Sequence, residues 1–521
     1  MTSSPWPGDA CSLVDAFRAG ERSPVEELEA TLNAIAASDL NAFAFVDPDR
    51  AMDAARRADV TAPFGGVPVG VKELEPVLGW PATEASLVFR DRVATTTSTV
   101  VQRLFDGGVV PVGLTTASEF GGLNVGVTKL HGVTHNPWRH GRTPGGSSAG
   151  SAAAVAGGLV TLATGGDGGG SIRIPAAYTG LVGMKGTYGR IPRGPDAWFR
   201  PGTVVLGCLA RSVRDVARYY DVCGGYDPID PSSLPKREGW EAGLGSQDLT
   251  GRRVAVIPAL GGVMVEPAVE SRVRASAAAL IAANNMVEVE LQVDLPNLAV
   301  QWMVGNLSTL LAELGDRWPA CAPELTDEIA IALYLSQSLY NLRAAAVAEM
   351  LRVRAYQAMA AAFEHVDFII AATNPSPAFA ADATMSSPSE SFVDWAKSNP
   401  VARLGFRGAM GTVRAVAAVF PNVPSLLLDE IAARFPDLVQ MGGLTMISNL
   451  YGNPAVSIPA GLVDGLPVGL QVLARHHADA LLLDVARSVE RDNPWPLVAT
   501  RPTVLGDSVP TTATSPLSPL R

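Results

Sequence analysis

GVPVGVKE at residues 66–73, STVVQRLFDGG at 98–108 and VVPVGLTT at 109–116 follow one another along the chain. The first alternates apolar and small residues over a strand's length. The second reads as a helix halted by Gly107 and Gly108, and the third is an apolar strand. The same order returns in RRVAVIP (252–258), EPAVESRVRASAAALIAANN (266–285) and MVEVELQV (286–293), a strand, helix and strand suited to a crossover connection. VDFIIAATNPSP (366–377), NPAVSIPAG (453–461) and GLPVGLQVLA (465–474) add strands, the last two joined by a Gly/Asp turn. This alternation indicates the α/β class, with a sheet that extends past residue 250. Upstream, SPVE at 23–26 starts a helix through EELEATLNAIAA, because a serine hydroxyl accepts from an early amide and proline suits the first turn. From about residue 295 to 365 the pattern is mainly helical and carries no chemistry of its own, which suits a lid or pocket wall. The tail from Pro502 onward is rich in Pro, Ser and Thr and is expected to be disordered.

The 521 residues are 47% hydrophobic, enough to bury a large core. A net charge of -11 without a basic cluster argues against a nucleic-acid partner, since phosphate binding needs a positive stripe. Cys11, Cys208, Cys223 and Cys321 are sparse and show no CxxC spacing, which points to reduced thiols and a cytoplasmic setting. The N-terminus lacks a basic start followed by an apolar core, unlike a signal peptide. Residues 143–166 carry no charge, yet Gly, Ser and Ala dominate them, so a buried helix plus loop is expected and no membrane contact.

Only five of the 40 basic residues are lysines: Lys72, Lys129, Lys185, Lys236 and Lys397. Lysine can lose its proton when buried and serve as a base, which a guanidinium cannot do. Lys72 sits in a strand that enters the interior; a lysine at a strand end that snorkels to water is the competing reading. Downstream, GGSSAGS from Gly145 and GGDGGGSIRIP from Gly165 place serines among glycines, where backbone amides can approach a ligand. Neither segment completes GxxxxGK[ST] or GxGxxG, which removes a phosphate cradle. One such loop is usually a tight turn; two with serines, downstream of Lys72, favour chemistry.

With these three segments in place, the chain resembles the amidase signature family from about residue 10 to residue 500. GVPVGVKE carries the family lysine at Lys72, TPGGSSAGSAAAVA the bridging serine at Ser147, and GGDGGGSIRIPAAYTG the nucleophile at Ser171. The resemblance implies one large α/β domain over residues 1–501, with a central mixed β-sheet flanked by helices on both faces. It also implies a catalytic core at about 60–200 and a cis peptide between Gly146 and Ser147.

A serine hydroxyl is too weak an acid to attack an amide unaided, so Ser171 needs a base. Ser147 both donates and accepts, and can relay the proton to neutral Lys72; the ammonium then returns it to the departing amine. Backbone amides of Gly168, Gly169, Gly170 and Ser171 are candidates to hold the oxyanion. Ser148 is a supporting candidate within the relay, and Asp167 with Arg173 forms a pair expected to brace the loop. Lys185 falls on a family motif as a structural element.

His131, His135 and His140 in HGVTHNPWRH invite a metal reading, but Pro137 breaks any helix that would align them and no carboxylate interleaves. The segment also matches the family loop through Asn136, Pro137 and Arg142. The expectation is therefore no metal and no cofactor, with a small-molecule amide substrate and a homodimer as the common assembly. The implied reaction is hydrolysis of a carboxamide to an acid plus ammonia or an amine. Two alternatives remain: the glutaminase subunit of a tRNA-dependent amidotransferase, where SIRQP is usual in place of SIRIP, and a noncatalytic binding homologue. Specificity is expected from the helices near Trp302 to Tyr340 and from loops at Phe120–Asn124 and Met441–Asn449.

Overall fold

The computed structural model describes residues 4–196, 202–296, 299–339, 342–383 and 441–500. In chain order its strands are β1 (Phe43–Val46), β2 (Pro68–Lys72), β3 (Val110–Thr115), β4 (Val127–Thr128), β5 (Gly132–Val133), β6 (Leu162–Asp167), β7 (Val182–Lys185), β8 (Val205–Ala210), β9 (Arg253–Val256), β10 (Val287–Glu288), β11 (Phe368–Ala372), β12 (Ala455–Val463) and β13 (Leu466–Ala474). Strands β4 and β5 pair with each other, while the other eleven form one sheet ordered β1-β3-β2-β6-β8-β7-β12-β13-β11-β9-β10. The sheet is mixed: β2 runs parallel to β3 and β6, and β9 to β10 and β11, whereas β6, β8, β7, β12, β13 and β11 pair antiparallel in succession.

Side chains of one strand alternate between faces, and here adjacent residues enter separate cores. Leu162, Cys208 and Ala210 belong to one cluster with the helix Val213–Cys223, while Ala163 and Leu209 pack with the helix Ala149–Ala156 on the opposite face. Helices thus cover both faces, as the family resemblance implies.

The expected local signals are present. Ser23 accepts from the Glu26 amide and Glu26 reaches back to the Ser23 amide, closing a capping box on the helix Pro24–Ala37. The helix Thr99–Asp106 ends at Gly107, ahead of β3. β9, the helix Pro267–Ala283 and β10 form the anticipated crossover, with β10 parallel to β9. MVEVELQV is strand only at Val287 and Glu288; both are exposed on an edge where β9 is the single neighbour among the described residues. Asp464 and Gly465, both at positive φ, turn β12 into β13. That left-handed pair suits the two-residue hairpin turn.

The uncharged stretch at 143–166 forms the short helix Ala149–Ala156 and part of β6, and no described helix is long and apolar enough to cross a membrane. Helices Ala299–Leu314, Asp327–Leu339 and Leu342–His365 occupy the segment read as helical. The side chains of Trp302 and Tyr340, and the tail from Pro502, lie outside the described residues.

Candidate active site

Because β2 and β6 are parallel, with Gly70 opposite Ala163, their C-terminal ends share one edge of the sheet. Ligands bind outside the carboxyl ends of strands in open α/β sheets. Lys72 is the last residue of β2 and Asp167 the last of β6, and both are buried. The Lys72 amide donates to Thr164 Oγ1 of β6 at 2.8 Å, which ties the two strand ends together.

Ser147 and Ser148 immediately precede the helix Ala149–Ala156, after a cis peptide between Gly146 and Ser147. Lys72 Nζ lies 2.8 Å from Ser147 Oγ, 3.0 Å from Ser148 Oγ and 3.5 Å from the Gly166 carbonyl. Burial pushes the Lys72 ammonium down to about 8, against the pull of Glu75, Asp167, Glu73 and Glu84, which favour its charged form. A neutral amine, the form able to accept a proton, is therefore within reach near neutral pH.

Ser171 stands on the loop between β6 and the helix Arg173–Thr179. Its hydroxyl makes no hydrogen bond among the described residues, so the Lys72–Ser147 contact is made and the Ser147–Ser171 contact is not. Catalytic hydrogen bonds often close only around substrate. The loop itself is rigidly held. Arg173 donates to both Asp167 oxygens at 2.9 and 3.0 Å, to Thr445 O at 2.8 Å, to Gln471 Oε1 at 2.7 Å and to Asn449 Oδ1 at 2.6 Å. Burial alone would raise the Asp167 carboxyl; the Arg173 guanidinium, with hydrogen bonds from Arg173 and Asn449, overrides it and holds it at about 2.

The candidate oxyanion amides divide. The Gly170 amide donates to Asp167 Oδ1 at 2.7 Å and is thereby engaged in holding the loop. The amides of Gly169 and Ser171 donate to nothing among the described residues. Gly170 has φ +134, and a Cβ there would run into Thr445 Oγ1 and meet Ile174 Cδ1 at 2.6 Å, so this position requires glycine.

The two segments expected to wall the site meet beside it, and the second is not a loop but a 3-10 turn, Met441–Leu444, and a short helix, Met446–Tyr451. A Cβ on Gly442 would lie 3.4 Å from Asn124 Nδ2 and 3.9 Å from the Gly169 carbonyl, and one on Gly121 would lie 3.5 Å from Ser147 Oγ. Thr445 Oγ1 donates to that same Gly169 carbonyl at 2.5 Å. Thr164 and Gln471 have no role in the sequence reading, and Thr445 and Asn449 enter it only within the segment expected to set specificity, not as supports of the Ser171 loop. Gln471 is a buried polar residue within an apolar strand, and that contrast was the available signal.

Lys185 is buried and donates to the carbonyls of Gly186 at 3.0 Å and Asn453 at 2.5 Å, binding β7 to the start of β12. The three histidines part company: His131 Nε2 faces Glu73 Oε2 at 2.8 Å, while His135 and His140 stack at 3.8 Å. Among the described residues no group of three His, Cys, Asp or Glu side chains is placed to hold a metal.

A family model described as Amidase matches residues 26–407. The chain is similar to a glutamyl-tRNA(Gln) amidotransferase subunit of Salinispora tropica, 33% identical over 92% of this chain and 96% of that protein. The same-named protein of Symbiobacterium thermophilum is 31% identical over 92% and 96%. Among solved structures, 6-aminohexanoate cyclic dimer hydrolase is 27% identical with a TM-score of 0.77, covering 96% of this chain and 99% of that one. A bacterial aryl acylamidase of the amidase signature family shares the fold with a TM-score of 0.79 at 24% identity, over 95% and 99%.

These relatives correct the expectation about partners. A small amide as sole partner, no nucleic acid and a homodimer do not stand beside relatives named as one subunit of a tRNA amidotransferase. The acidic net charge describes this chain's own surface; it carries no information about a nucleic acid held elsewhere in an assembly. The matched model, spanning most of the sequence, and relatives aligned nearly end to end place the chain in the amidase family, whose members are amidohydrolases of carbon-nitrogen bonds.

Proposed function

We propose that the chain cleaves a carboxamide through an acyl-enzyme on Ser171, with Ser147 relaying the proton to Lys72. The observation that carries this reading is the buried Lys72 Nζ–Ser147 Oγ contact of 2.8 Å beside the Ser171 loop. Ser171 Oγ attacks the carbonyl carbon while its proton passes to Ser147, whose own proton passes to neutral Lys72. The amides of Gly169 and Ser171 receive the oxyanion; one such donor is commonly worth about 3 kcal/mol. Collapse expels the nitrogen, which takes a proton back from Lys72 through Ser147, and water then releases the acid. Ser148 shares the lysine and keeps it aimed at the relay, while Asp167 and Arg173 hold the loop.

The amide donor that the relatives support is glutamine, cleaved by this chain as the amide-hydrolysing component of a tRNA-linked amidotransferase. Identity of 33% over nearly the whole of both chains is the support. A second reading, an apolar acyl group, is favoured by Ile174, where the glutaminase branch typically carries Gln. Ile174 is fully buried in a cluster with Trp138, Tyr178, Ala378 and Leu466. Helices Ala299–Leu314 and Asp327–Leu339 act as the pocket wall, since Leu307, Ile329 and Leu333 pack with Phe120 and Leu123. Four buried free thiols suit a reducing, cytoplasmic compartment.

The test is intact-protein mass after a small serine-directed fluorophosphonate, beside Ser171→Ala, followed by ammonia release from L-glutamine and from aliphatic and aryl amides. One adduct lost in the variant is expected. No adduct in the parent overturns the nucleophile assignment, and turnover of the apolar amides with none of glutamine selects the second reading.

A further inference from the structure

Four carboxylates bear on the Lys72 amine: Glu75, Asp167, Glu73 and Glu84. Three of them are answered by other groups. Asp167 is clasped by Arg173 at 2.9 and 3.0 Å. Glu73 accepts from the Ala117 amide at 2.8 Å and faces His131 Nε2 at 2.8 Å. Glu84 lies 3.2 Å from Arg92, which also binds Glu313 at 3.1 Å.

Glu75 differs. It is 5% exposed, and neither carboxyl oxygen has a hydrogen-bond partner among the described residues. Its amide donates to the Lys72 carbonyl at 2.8 Å, so a tight turn after β2 holds the Glu75 backbone beside that of Lys72. Thr164, which accepts the Lys72 amide, lies beside the carboxyl and favours its charged form. From the helix Val213–Cys223, Tyr219 and Cys223 face this region, and burial keeps both neutral. Arg103, the guanidinium on that side, is spent on the carbonyls of Cys223, Gly225 and Tyr226. Buried carboxyls are normally well hydrogen-bonded; beyond the Thr164 hydroxyl, the group that favours the charged form of Glu75 is the Lys72 cation.

We propose that Glu75 is the buried counter-ion of the ammonium that Lys72 becomes when it takes the Ser171 proton, and thus a positioning residue for amide cleavage. The proposal rests on the reading of Lys72 as the base. In the reactive form Lys72 is neutral and Glu75 ionised. The proton from Ser171, passed through Ser147, turns them into a neutral ion pair, and its return to the leaving nitrogen restores the start. Glu75 itself neither gains nor loses a proton. Without it, the same transfer creates an uncompensated cation in a dry site. Burial pushes Glu75 up to about 7 and Lys72 down to about 8, each opposed by the other's charge.

The experiment is the rate of Ser171 labelling by a small fluorophosphonate on the full-length protein, from about pH 6 to about pH 10. In the parent the rate rises with a midpoint near the Lys72 value of about 8. Glu75→Gln moves that midpoint down by about one pH unit, because the charge that favoured the ammonium is gone. Glu75→Met keeps the volume, removes the buried carboxyl and gives the same displacement should the glutamine variant fail to fold. An unchanged midpoint in the folded variants overturns the proposal, since a packing role slows labelling at every pH without moving it. An unlabelled parent, or labelling that persists in Ser171→Ala, brings down the active-site reading itself and this proposal with it.

Discussion

Asn449 donates through its side-chain amide to both the backbone carbonyl and the carboxylate of Asp167, at 2.7 and 2.9 Å. It also donates to Thr203 O at 3.1 Å and accepts from Arg173 at 2.6 Å. A helix late in the chain, Met446–Tyr451, thereby fixes the loop that carries Ser171.

Asn449→Ala leaves Asp167 and Arg173 short of buried partners. The expected loss is about 3 kcal/mol of unfolding free energy, the scale for an orphaned polar group beside charges. Denaturant unfolding checks it. Ser171 labelling should slow in the same variant although Lys72 and Ser147 are untouched.

Removal of the base is a different kind of loss. Lys72→Met and Ser147→Ala should each slow acylation by about a hundredfold to ten-thousandfold, the range for general acid-base participation. Near-parental labelling in either variant would sink the relay.

The pH dependence follows from burial of the amine. Lys72 is charged below about 8 and neutral above it, so acylation should rise through that value. Asp167 acts on stability with the opposite limb. Its folded value of about 2 lies below the ordinary 3.8, so its contribution is present above the ordinary value and is lost as pH falls through the folded one. Arg173→Met should abolish that acid limb in thermal unfolding measured against pH, since the carboxyl then loses the charge that holds it ionised.

Gly170→Ala places a Cβ against Thr445 and Ile174 in a backbone region that L-residues avoid. Labelling of Ser171 should be abolished. A parental rate in this variant would show that the loop can reshape without cost to the site.

The residues of the candidate site stand out in the sequence because their signals are local, and the structure brings Lys72, Ser147 and Ser148 together. Lys72 stood out as a rare amine in an apolar strand, and the two serine-bearing glycine segments stood out as places where backbone must approach closely. The Ser23–Glu26 capping box was readable because both partners lie within one helical turn. The alternating pattern overestimates β10 because it continues past Glu288, where no second neighbour pairs it among the described residues. The Gly170 amide was counted with the oxyanion donors because composition does not say which way an amide points; Asp167 decided that.

The sequence by itself determined the α/β alternation and the helix caps, and it supplied the residues proposed as nucleophile, relay and base, because each signal depends on neighbours a few positions apart. Tertiary structure alone decided that Asp167 answers Arg173 and that the Glu75 carboxyl is buried without a hydrogen-bond partner among the described residues. It also decided that Gln471 and Asn449, 298 and 276 residues from Arg173, complete the support of the Ser171 loop. Such contacts are set by strand order and register across an eleven-stranded sheet, and no local periodicity encodes them.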